Sequence, residues 1–263
     1  MGINRRIGVT GGTGVLGTLM INYFGIDQVS NFQGDIRNEI EIKDWISSNQ
    51  FGAIFHFAAI VPVNDVEKNI KVAYDVNSFG TYKLLKVISE KKPKIWLFYA
   101  SSSHVYKPNP GKISENHPLD PQNVYGRTKM IGDIIAQDFN KKYNIPVCIG
   151  RIFSFYHPLQ GKGFLYTNLK EKLKNHNPQH SFELFNAESV RDISKAEEIV
   201  SLIYQLYIKK ITGIVNIGKG EGIKICNFAS MIAGYDLKIL NRDTGNQNSL
   251  VADTSRLRKL LKR

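Results

Sequence analysis

Four short runs along the first 155 residues are apolar at nearly every position, over residues 6–9, 53–60, 94–102 and 145–153. Strands that are apolar throughout are typical of a parallel sheet that is covered on both faces. Apolar side chains at helical spacing lie between these runs, and they predict helices over residues 18–24, 66–90 and 124–139. The alternation therefore predicts an α/β fold built on a doubly wound parallel sheet.

The alternation of strands and helices breaks after about residue 155. Residues 157–163 (HPLQGKG) have the composition of a loop, a basic helical segment follows at 164–175, and one more apolar strand is expected at 213–218. We therefore expect two units, a sheet domain over 1–155 and a small C-terminal lobe over 156–263. Segments within about 186–218 are expected to return to the sheet.

The charge of the chain limits the classes of partner. The 263 residues carry a formal net charge of +12, but the lysines are spread along the chain and aromatic residues do not interleave with the basic clusters. A groove for single-stranded nucleic acid needs that interleaving, so we expect no nucleic-acid partner. A lysine-rich solvated surface explains most of the charge, and a phosphorylated ligand accounts for a few cations.

Other classes are also not expected. No apolar run approaches the length of a membrane span. The first residues lack the apolar stretch and cleavage site of a signal peptide, so a cytoplasmic location is expected. The two cysteines, Cys148 and Cys226, stand in apolar contexts without zinc-ligand spacing, and we expect no metal.

Three glycines follow the first strand at a spacing of three. Gly11, Gly14 and Gly17 come after an apolar strand and open an apolar helix. Glycine is needed where backbone turns tightly and approaches a pyrophosphate, and the helix N-terminus then supplies amide donors. This context predicts dinucleotide binding on a Rossmann sheet.

The stretch NVYGRTK places Tyr125 four residues ahead of Lys129. On a helix these side chains share a face. The pair is either two amphipathic side chains on a surface helix or a general acid/base whose pKa is lowered by a neighbouring cation. The glycine turn favours the second interpretation.

Motifs along nearly the whole chain resemble the extended short-chain dehydrogenase/reductases that act on nucleotide sugars. They occur in the order of that family: TGGTGVLG (10–17), GDIRN (34–38), HFAA (56–59), VNSFGTYKLL (76–85), YASSSHVY (99–106), YGRTK (125–129), GRIFSFYHP (150–158), SVRDIS (189–194) and VNIGKGEG (215–222). The resemblance implies that Tyr125 exchanges a proton with the sugar. It also implies that Lys129 holds the nicotinamide ribose and lowers the Tyr125 pKa, and that Ser102 bonds the same sugar oxygen.

The same resemblance implies two sets of binding residues. Those expected at the cofactor are Thr10, Gly11, Gly14, Val15, Leu16, Gly17, Asp35, Ile36, Arg37, Phe57, Ala58, Ala59, Asn77, Ala100, Tyr125, Lys129 and Ile152. Those expected at the substrate are Ser102, Ser103, His104, Tyr125, Ser154 and Arg191.

The chain departs from the family pattern at the second strand, where the segment VSNFQGD offers one acid instead of two. If Asp35 lies by the adenine, Arg37 is free to meet a 2′-phosphate and NADP(H) is favoured. If Asp35 instead ends the second strand, NAD(H) is favoured. The sequence leans towards NADP(H).

A second departure lies in SSSHV, which has no acid after Ser102. Nucleotide-sugar 4,6-dehydratases of the family carry an Asp-Glu pair there, so a dehydratase is not expected. His104 stands at this place, either as a proton relay or as a polar wall of the sugar pocket.

These features favour a reductase of a nucleotide-diphospho-4-keto-6-deoxyhexose on a CDP, dTDP or GDP carrier. The alternative is an NAD-dependent 4-epimerase that resembles UDP-galactose 4-epimerase, and a non-catalytic dinucleotide sensor is the third hypothesis. The resemblance further implies a nucleotide-diphosphate sugar as partner, a homodimer formed through helices at 66–90 and 124–140, and a role in deoxysugar and surface polysaccharide or lipopolysaccharide synthesis.

Overall fold

The computed structural model describes residues 6–91, 94–243, 245 and 248–262. Its strands are β1 Arg6–Thr10, β2 Val29–Phe32, β3 Phe51–His56, β4 Trp96–Ser102, β5 Lys112–Ile113, β6 Val147–Ile152, β7 Ser154–Tyr156, β8 Phe182–Phe185, β9 Val190–Lys195, β10 Gly213–Ile217, β11 Gly222–Lys224, β12 Ile239–Arg242 and β13 Ser249–Ala252. Its helices are α1 Val15–Phe24, α2 Glu39–Ser47, α3 Val63–Lys68, α4 Ile70–Tyr74, α5 Gly80–Lys91, α6 Val124–Tyr143, α7 Leu165–Leu173, α8 Ala196–Ile208, α9 Ile225–Ala233 and α10 Ser255–Leu261.

The main sheet has six parallel strands in the order β10-β6-β4-β3-β1-β2. Val9 of β1 pairs with Asn31 of β2 on one side and with Phe55 of β3 on the other. The chain therefore reverses its direction of winding between β1 and β3, and the carboxyl ends of these strands border a crevice. The prediction of a doubly wound parallel sheet is confirmed.

Side chains of the sheet alternate between two apolar layers. Phe55, Phe98 and Cys148 point to one layer, which α1, α8 and α10 complete. Their chain neighbours Ile54, Leu97 and Ile149 point to the other layer, which α2, α5 and α6 complete. Alternate positions of a strand face opposite sides of a sheet, so a continuous apolar run is what two covered faces require.

The apolar run predicted as a strand over 53–60 leaves the sheet after His56. The Phe57 amide still donates to the Thr10 carbonyl oxygen of β1 over 3.1 Å, but the next backbone amides with a hydrogen bond donate to side chains. The Ala58 amide donates to Thr10 Oγ1 over 3.3 Å, and the Ile60 amide donates to Asn77 Oδ1 over 2.8 Å. Apolar periodicity cannot show where such side-chain acceptors replace a strand.

The helix predicted over 66–90 is divided into shorter pieces. Helix α3 ends at Asn69, whose side chain accepts a hydrogen bond from the Val72 amide and begins α4. A π-helical turn over Asp75–Phe79 then joins α4 to α5. Asparagine is a strong N-cap residue, and the apolar spacing does not reveal that the chain uses it within a helical stretch.

A second sheet, in the order β11-β9-β13-β5, and the pair β12-β8 lie beyond the main sheet. Leu169, Phe182, Leu184 and Phe228 form a separate apolar cluster there. Helix α8 and β10 pack back on the main sheet. The division into units at residue 155 stays a prediction. Within the described ranges, no helix has the length and apolar content that a membrane crossing requires.

Candidate active site

A cavity of about 840 Å³ opens at the carboxyl ends of β1, β3 and β4. The glycine turn forms one end of it, and side chains of the later elements, including Tyr166 and Phe228, form the other. Ser102 and Tyr125 lie in the wall between these ends. A long ligand with a dinucleotide half and a second half could therefore span both parts of the fold.

The glycine turn is shaped for close approach to backbone. Gly11 has a φ of +72°, which L residues with a side chain rarely adopt. A Cβ on Gly17 would collide with the carbonyl oxygen of Gly11, and helix α1 begins directly after Gly14. The first amides of α1 have no partner within their own helix and attract anions. These residues fit the pyrophosphate of a nicotinamide dinucleotide.

Tyr125 lies near the start of α6 and is 8% exposed, so its hydroxyl is largely withdrawn from solvent. Burial raises the pKa of Tyr125 to about 12, and hydrogen bonding to the Ser102 hydroxyl opposes that rise. Ser102 is the last residue of β4 and is itself buried. The strand end and the helix start therefore bring both hydroxyls to one point of the cavity wall.

Lys129 follows one turn later on α6. Its Nζ donates a hydrogen bond to the Ala100 carbonyl oxygen over 2.8 Å and lies 5.2 Å from the centre of the Tyr99 ring. Burial lowers the pKa of Lys129 to about 8, while the nearby Asp133 carboxylate opposes this shift. The ammonium is thus fixed at the cavity wall on the same face of α6 as Tyr125.

A buried ion pair supports this part of α6. Arg151 Nε donates to Asp133 Oδ2 over 2.8 Å, and both side chains are almost fully buried. Arg151 also donates to the Glu115 carbonyl oxygen over 3.1 Å and stacks on the Tyr106 ring. The pair ties α6 to β6 behind Lys129. Asp133 lies four residues beyond Lys129, and that spacing is the sequence feature that could have indicated a carboxylate near the Lys129 ammonium.

His104 lines the cavity together with Ser102 and Tyr125. Its ring centre is 5.7 Å from that of Tyr125 in an edge-on arrangement, and its Nδ1 is 3.1 Å from Nδ2 of Asn123. Burial, and secondarily the positive charge of Arg191, lower the pKa of His104 to about 4. The imidazole is therefore neutral at physiological pH.

Most of the residues expected at the site meet in this cavity. Its lining includes Gly11, Gly14, Val15, Leu16, Gly17, Phe57, Ala59, Ala100, Ser102, Ser103, His104, Tyr125, Lys129, Ile152, Ser154 and Arg191. The remaining six lie outside the lining, and they are Thr10, Asp35, Ile36, Arg37, Ala58 and Asn77. Their roles at the cofactor stay predictions.

Asp35 and Arg37 are paired with each other. The guanidinium donates to the carboxylate through Nε and Nη2, with a shortest distance of 2.6 Å, and both side chains are nearly half exposed. The Arg37 guanidinium lowers the pKa of Asp35. Ile36, between them, is buried. The cation expected to meet a 2′-phosphate is thus already paired with a carboxylate.

Thr10 and Asn77 lie behind the cavity in a buried polar network. Thr10 Oγ1 is 2.6 Å from His56 Nδ1, and His56 Nε2 is 3.0 Å from Thr81 Oγ1. The Asn77 amide accepts from the Ile60 nitrogen and donates to the Ile60 oxygen. These bonds hold the ends of β1 and β3 and the following loop in place.

The sequence patterns do not indicate the aromatic wall at the far end of the cavity. Tyr156, Phe164, Tyr166 and Phe228 line it, and Tyr156 contacts both Tyr166 and Phe228. They come from separate loops and short elements, so no local motif unites them. None of the described lining residues is Asp or Glu, and nowhere in the described chain do three or more His, Cys, Asp or Glu side chains form a group that could hold a metal ion.

The sheet, glycine turn and Ser-Tyr-Lys wall define an extended short-chain dehydrogenase/reductase of the nucleotide-sugar epimerase and dehydratase class. The chain belongs to the family described as GDP-mannose 4,6 dehydratase, whose model matches residues 13–261.

Named relatives are similar over much of the chain. A UDP-glucose epimerase of Bacillus subtilis, YtcB, described as uncharacterized, is 29% identical over 217 residues, which are 79% of this chain and 67% of the relative. A bifunctional UDP-glucose and UDP-xylose 4-epimerase of Pisum sativum is 23% identical over 98% of this chain and 90% of its own. The fold is also similar to that of the Thermus thermophilus UDP-glucose 4-epimerase in complex with NAD, with a TM-score of 0.81, 18% identity and coverage of 97% and 92%.

Proposed function

We propose that this protein is an NAD-dependent nucleotide-sugar 4-epimerase acting on a UDP-hexose. The observation that carries the proposal is the cavity wall, where Ser102, Tyr125 and Lys129 converge and no described lining residue is a carboxylate. One tyrosine acid/base suffices to oxidise and reduce a single carbon. Elimination of water would need further acid/base groups on the neighbouring carbons. The named relatives support the epimerase better than the 4-ketoreductase that the sequence favoured.

Tyr125 would carry the proton in this reaction. It would take the proton of the sugar 4-hydroxyl as the carbon becomes a ketone and return it when the alcohol forms again. Ser102 would bond the same oxygen, and the Lys129 ammonium would stabilise negative charge on the phenolate. When bound at the glycine turn, a nicotinamide dinucleotide supplies the hydride acceptor and donor.

The Asp35–Arg37 pair supports NAD over NADP. A guanidinium that already binds a carboxylate through two nitrogens has its charge compensated, so it attracts a 2′-phosphate weakly. NAD, which has no 2′-phosphate, needs no such cation. The proposal of NAD therefore differs from the prediction made from the sequence alone, which favoured NADP.

Arg191 would hold the nucleotide diphosphate. With Lys129 it supplies the cationic side chains among the described lining residues. Nη1 of Arg191 donates hydrogen bonds to the carbonyl oxygens of Val190 and Asn248 over 2.8 and 2.9 Å, and these bonds fix the position of the guanidinium. Burial lowers the pKa of Arg191 because the charged guanidinium is removed from water, and a bound diphosphate would supply negative charge that offsets this cost. The aromatic wall would contact the uridine.

A 4-ketoreductase is the second candidate. The raised pKa of Tyr125, about 12, means that the free protein presents a protonated phenol. That state is the one needed to donate a proton to a 4-keto sugar. An epimerase needs the protonated phenol in the second half of its cycle and the phenolate in the first half, so the Lys129 ammonium and the positive charge of bound NAD⁺ would have to lower the Tyr125 pKa in the complex.

The separating experiment analyses what the purified protein releases on acid denaturation, by mass spectrometry and absorbance. An epimerase retains stoichiometric NAD and interconverts UDP-glucose and UDP-galactose without added cofactor. A protein that releases nothing, binds NADPH more tightly than NADH and turns over only with a 4-keto-6-deoxy nucleotide sugar would replace the proposal with the ketoreductase.

We also propose a homodimer through α5 and α6. These helices and the π-helical turn before α5 leave Phe79, Tyr82, Ile134 and Tyr143 between 41% and 52% exposed, and a second copy of the chain would cover these apolar side chains. Sedimentation equilibrium tests the proposal, since a monomer at micromolar concentration would contradict it.

A further inference from the structure

The side chain of Asn123 has a fixed orientation. Asn123 precedes α6 as its N-cap, and its Oδ1 accepts a hydrogen bond from the Gly126 amide over 2.8 Å. A backbone amide can only donate, so the atom that meets it must be the oxygen. The other end of the side chain is therefore the NH₂ group, and this group faces Nδ1 of His104 at 3.1 Å.

This orientation determines the tautomer of His104. Because Asn123 Nδ2 can only donate, Nδ1 of His104 must accept and carries no proton. The ring is neutral, since burial and the charge of Arg191 lower its pKa to about 4. A neutral imidazole with a bare Nδ1 has its proton on Nε2. His104 is thus a hydrogen-bond donor through Nε2.

No described residue accepts a hydrogen bond from that donor. His56 shows what a purely structural histidine in this protein looks like, because Thr10 and Thr81 satisfy both of its ring nitrogens. Among the described residues His104 has a hydrogen-bond partner for its ring at Nδ1 alone, and its ring lines the same cavity as Ser102, Tyr125 and Arg191. An acceptor for Nε2 must then come from whatever occupies the cavity.

We propose that His104 is a substrate-positioning residue that donates a neutral hydrogen bond from Nε2 to a sugar oxygen of the nucleotide sugar, with Asn123 setting its tautomer. The proposal rests on the nucleotide-sugar function proposed above. The bond orients the hexose so that its reacting carbon stands at the Tyr125 hydroxyl. His104 does not relay protons, because a relay would need Nδ1 to take up a proton as Nε2 releases one, and the hydrogen bond from Asn123 keeps Nδ1 an acceptor.

The tautomer is measured directly by nitrogen NMR of the histidine rings in the protein with its bound NAD. The His104→Gln variant identifies the resonances by their disappearance. We expect Nε2 to have the chemical shift of a nitrogen that carries a proton and Nδ1 that of a nitrogen without one. The Nε2 signal should also change when UDP-glucose is added. A proton on Nδ1, or a ring that becomes charged near pH 6.5, would overturn the proposal.

The Asn123→Asp variant tests whether Asn123 determines the tautomer of His104. Aspartate keeps the oxygen that caps α6 but replaces the NH₂ donor by an acceptor, so the fold is retained while the proton moves to Nδ1 of His104. We expect the two nitrogen shifts to exchange their types and UDP-glucose to bind at least tenfold more weakly. An unchanged tautomer would show that Asn123 does not set it and would contradict the proposal.

Kinetics of two variants at His104 test the role in catalysis. Glutamine places an N–H donor where Nε2 lies, whereas leucine fills the space without a donor. We expect kcat/KM to fall less than about fivefold for His104→Gln and by about 10- to 100-fold for His104→Leu. Equal losses would overturn the proposal. If the unsubstituted protein neither binds nor converts UDP-glucose, the proposed function fails for that substrate, and the NMR tautomer still decides whether His104 offers the donor.

Discussion

The Nζ of Lys129 lies 2.8 Å from the carbonyl oxygen of Ala100, in the buried strand β4. This bond fixes the ammonium at the cavity wall. With a pKa lowered by burial to about 8, Lys129 is protonated below that pH and becomes neutral above it.

We therefore expect kcat/KM to fall as the pH rises through about 8, because the ammonium that stabilises a Tyr125 phenolate is lost. A pH profile of UDP-glucose epimerisation from pH 6 to 10 measures this. In Lys129→Arg the guanidinium keeps its charge over that range, so the decline should disappear even though overall activity is lower. A flat profile of the unsubstituted protein up to pH 10 would contradict the assignment.

Replacing Tyr125 by phenylalanine removes the proton carrier and little volume. We expect kcat to fall by about 10²- to 10⁴-fold, the usual contribution of general acid/base catalysis. The bound cofactor, measured by absorbance after denaturation, should be retained. Tyr166→Phe is the matched control, since it removes a hydroxyl at the far end of the same cavity, and it should lose much less activity than Tyr125→Phe.

The glycine turn should not tolerate a methyl group at Gly17, because a Cβ there would collide with the backbone of Gly11 and Gly12. We expect Gly17→Ala to be purified without cofactor and with a lower melting temperature. Gly161→Ala is the matched control in the wall of the same cavity, since nothing lies within 4 Å of its Cβ position. Cofactor retained by Gly17→Ala would exclude this turn as the pyrophosphate site.

Two neutral histidines, the buried His56 and the partly buried His104, should make the protein sensitive to acid. Burial lowers the pKa of His56 to about 3, and burial with the Arg191 charge lowers that of His104 to about 4, from 6.5 in each case. The unfolded chain then binds more protons than the folded protein as the pH falls below 6.5, so the free energy of unfolding decreases. At pH 5 the loss is about 2 kcal/mol for each residue relative to pH 7.

Urea unfolding of the protein and of His104→Gln at both pH values checks this. Glutamine does not titrate, so the variant should lose about 2 kcal/mol less than the unsubstituted protein on going from pH 7 to pH 5. Equal losses in the two proteins would show that His104 is not held neutral by the fold.

The buried pair of Asp133 and Arg151 should matter far more than an exposed one. Asp133→Asn leaves a nearly fully buried guanidinium without its carboxylate, and we expect a loss of about 3 to 5 kcal/mol of unfolding free energy. The control is Glu39→Gln, which breaks the partly exposed pair with Lys86 and should cost much less. Similar losses in a urea titration would contradict this difference.

The sequence alone predicts the fold and the part of the cavity wall that holds the glycine turn, Ser102, Tyr125 and Lys129, because these features depend on local patterns. The apolar strands, the turn before α1, and the Tyr125–Lys129 spacing each lie within one short segment. The residues that it could not indicate depend on contacts between distant segments. Asp133 meets Arg151 only when α6 packs on β6, and the aromatic wall assembles from several loops.

The segment after the second strand also depends on a contact that the sequence does not reveal. The sequence left open whether Arg37 was free to meet a phosphate or Asp35 ended the strand. In the structure β2 ends at Phe32, and the two charged residues bind each other. Two opposite charges that are two residues apart in a turn are close enough to pair. The backbone conformation of the turn decides whether they do.

The strand β10 at the edge of the main sheet comes from residues 213–217, far beyond the rest of that sheet in the chain. During synthesis from the N-terminus, β6 must therefore wait for more than sixty further residues before its partner leaves the ribosome. Until then β6 presents unpaired backbone and apolar surface, which favours association with other chains. At that stage the glycine turn and the Tyr125–Lys129 segment have already been made, so the edge of β6 closes only after the cofactor-binding segments exist.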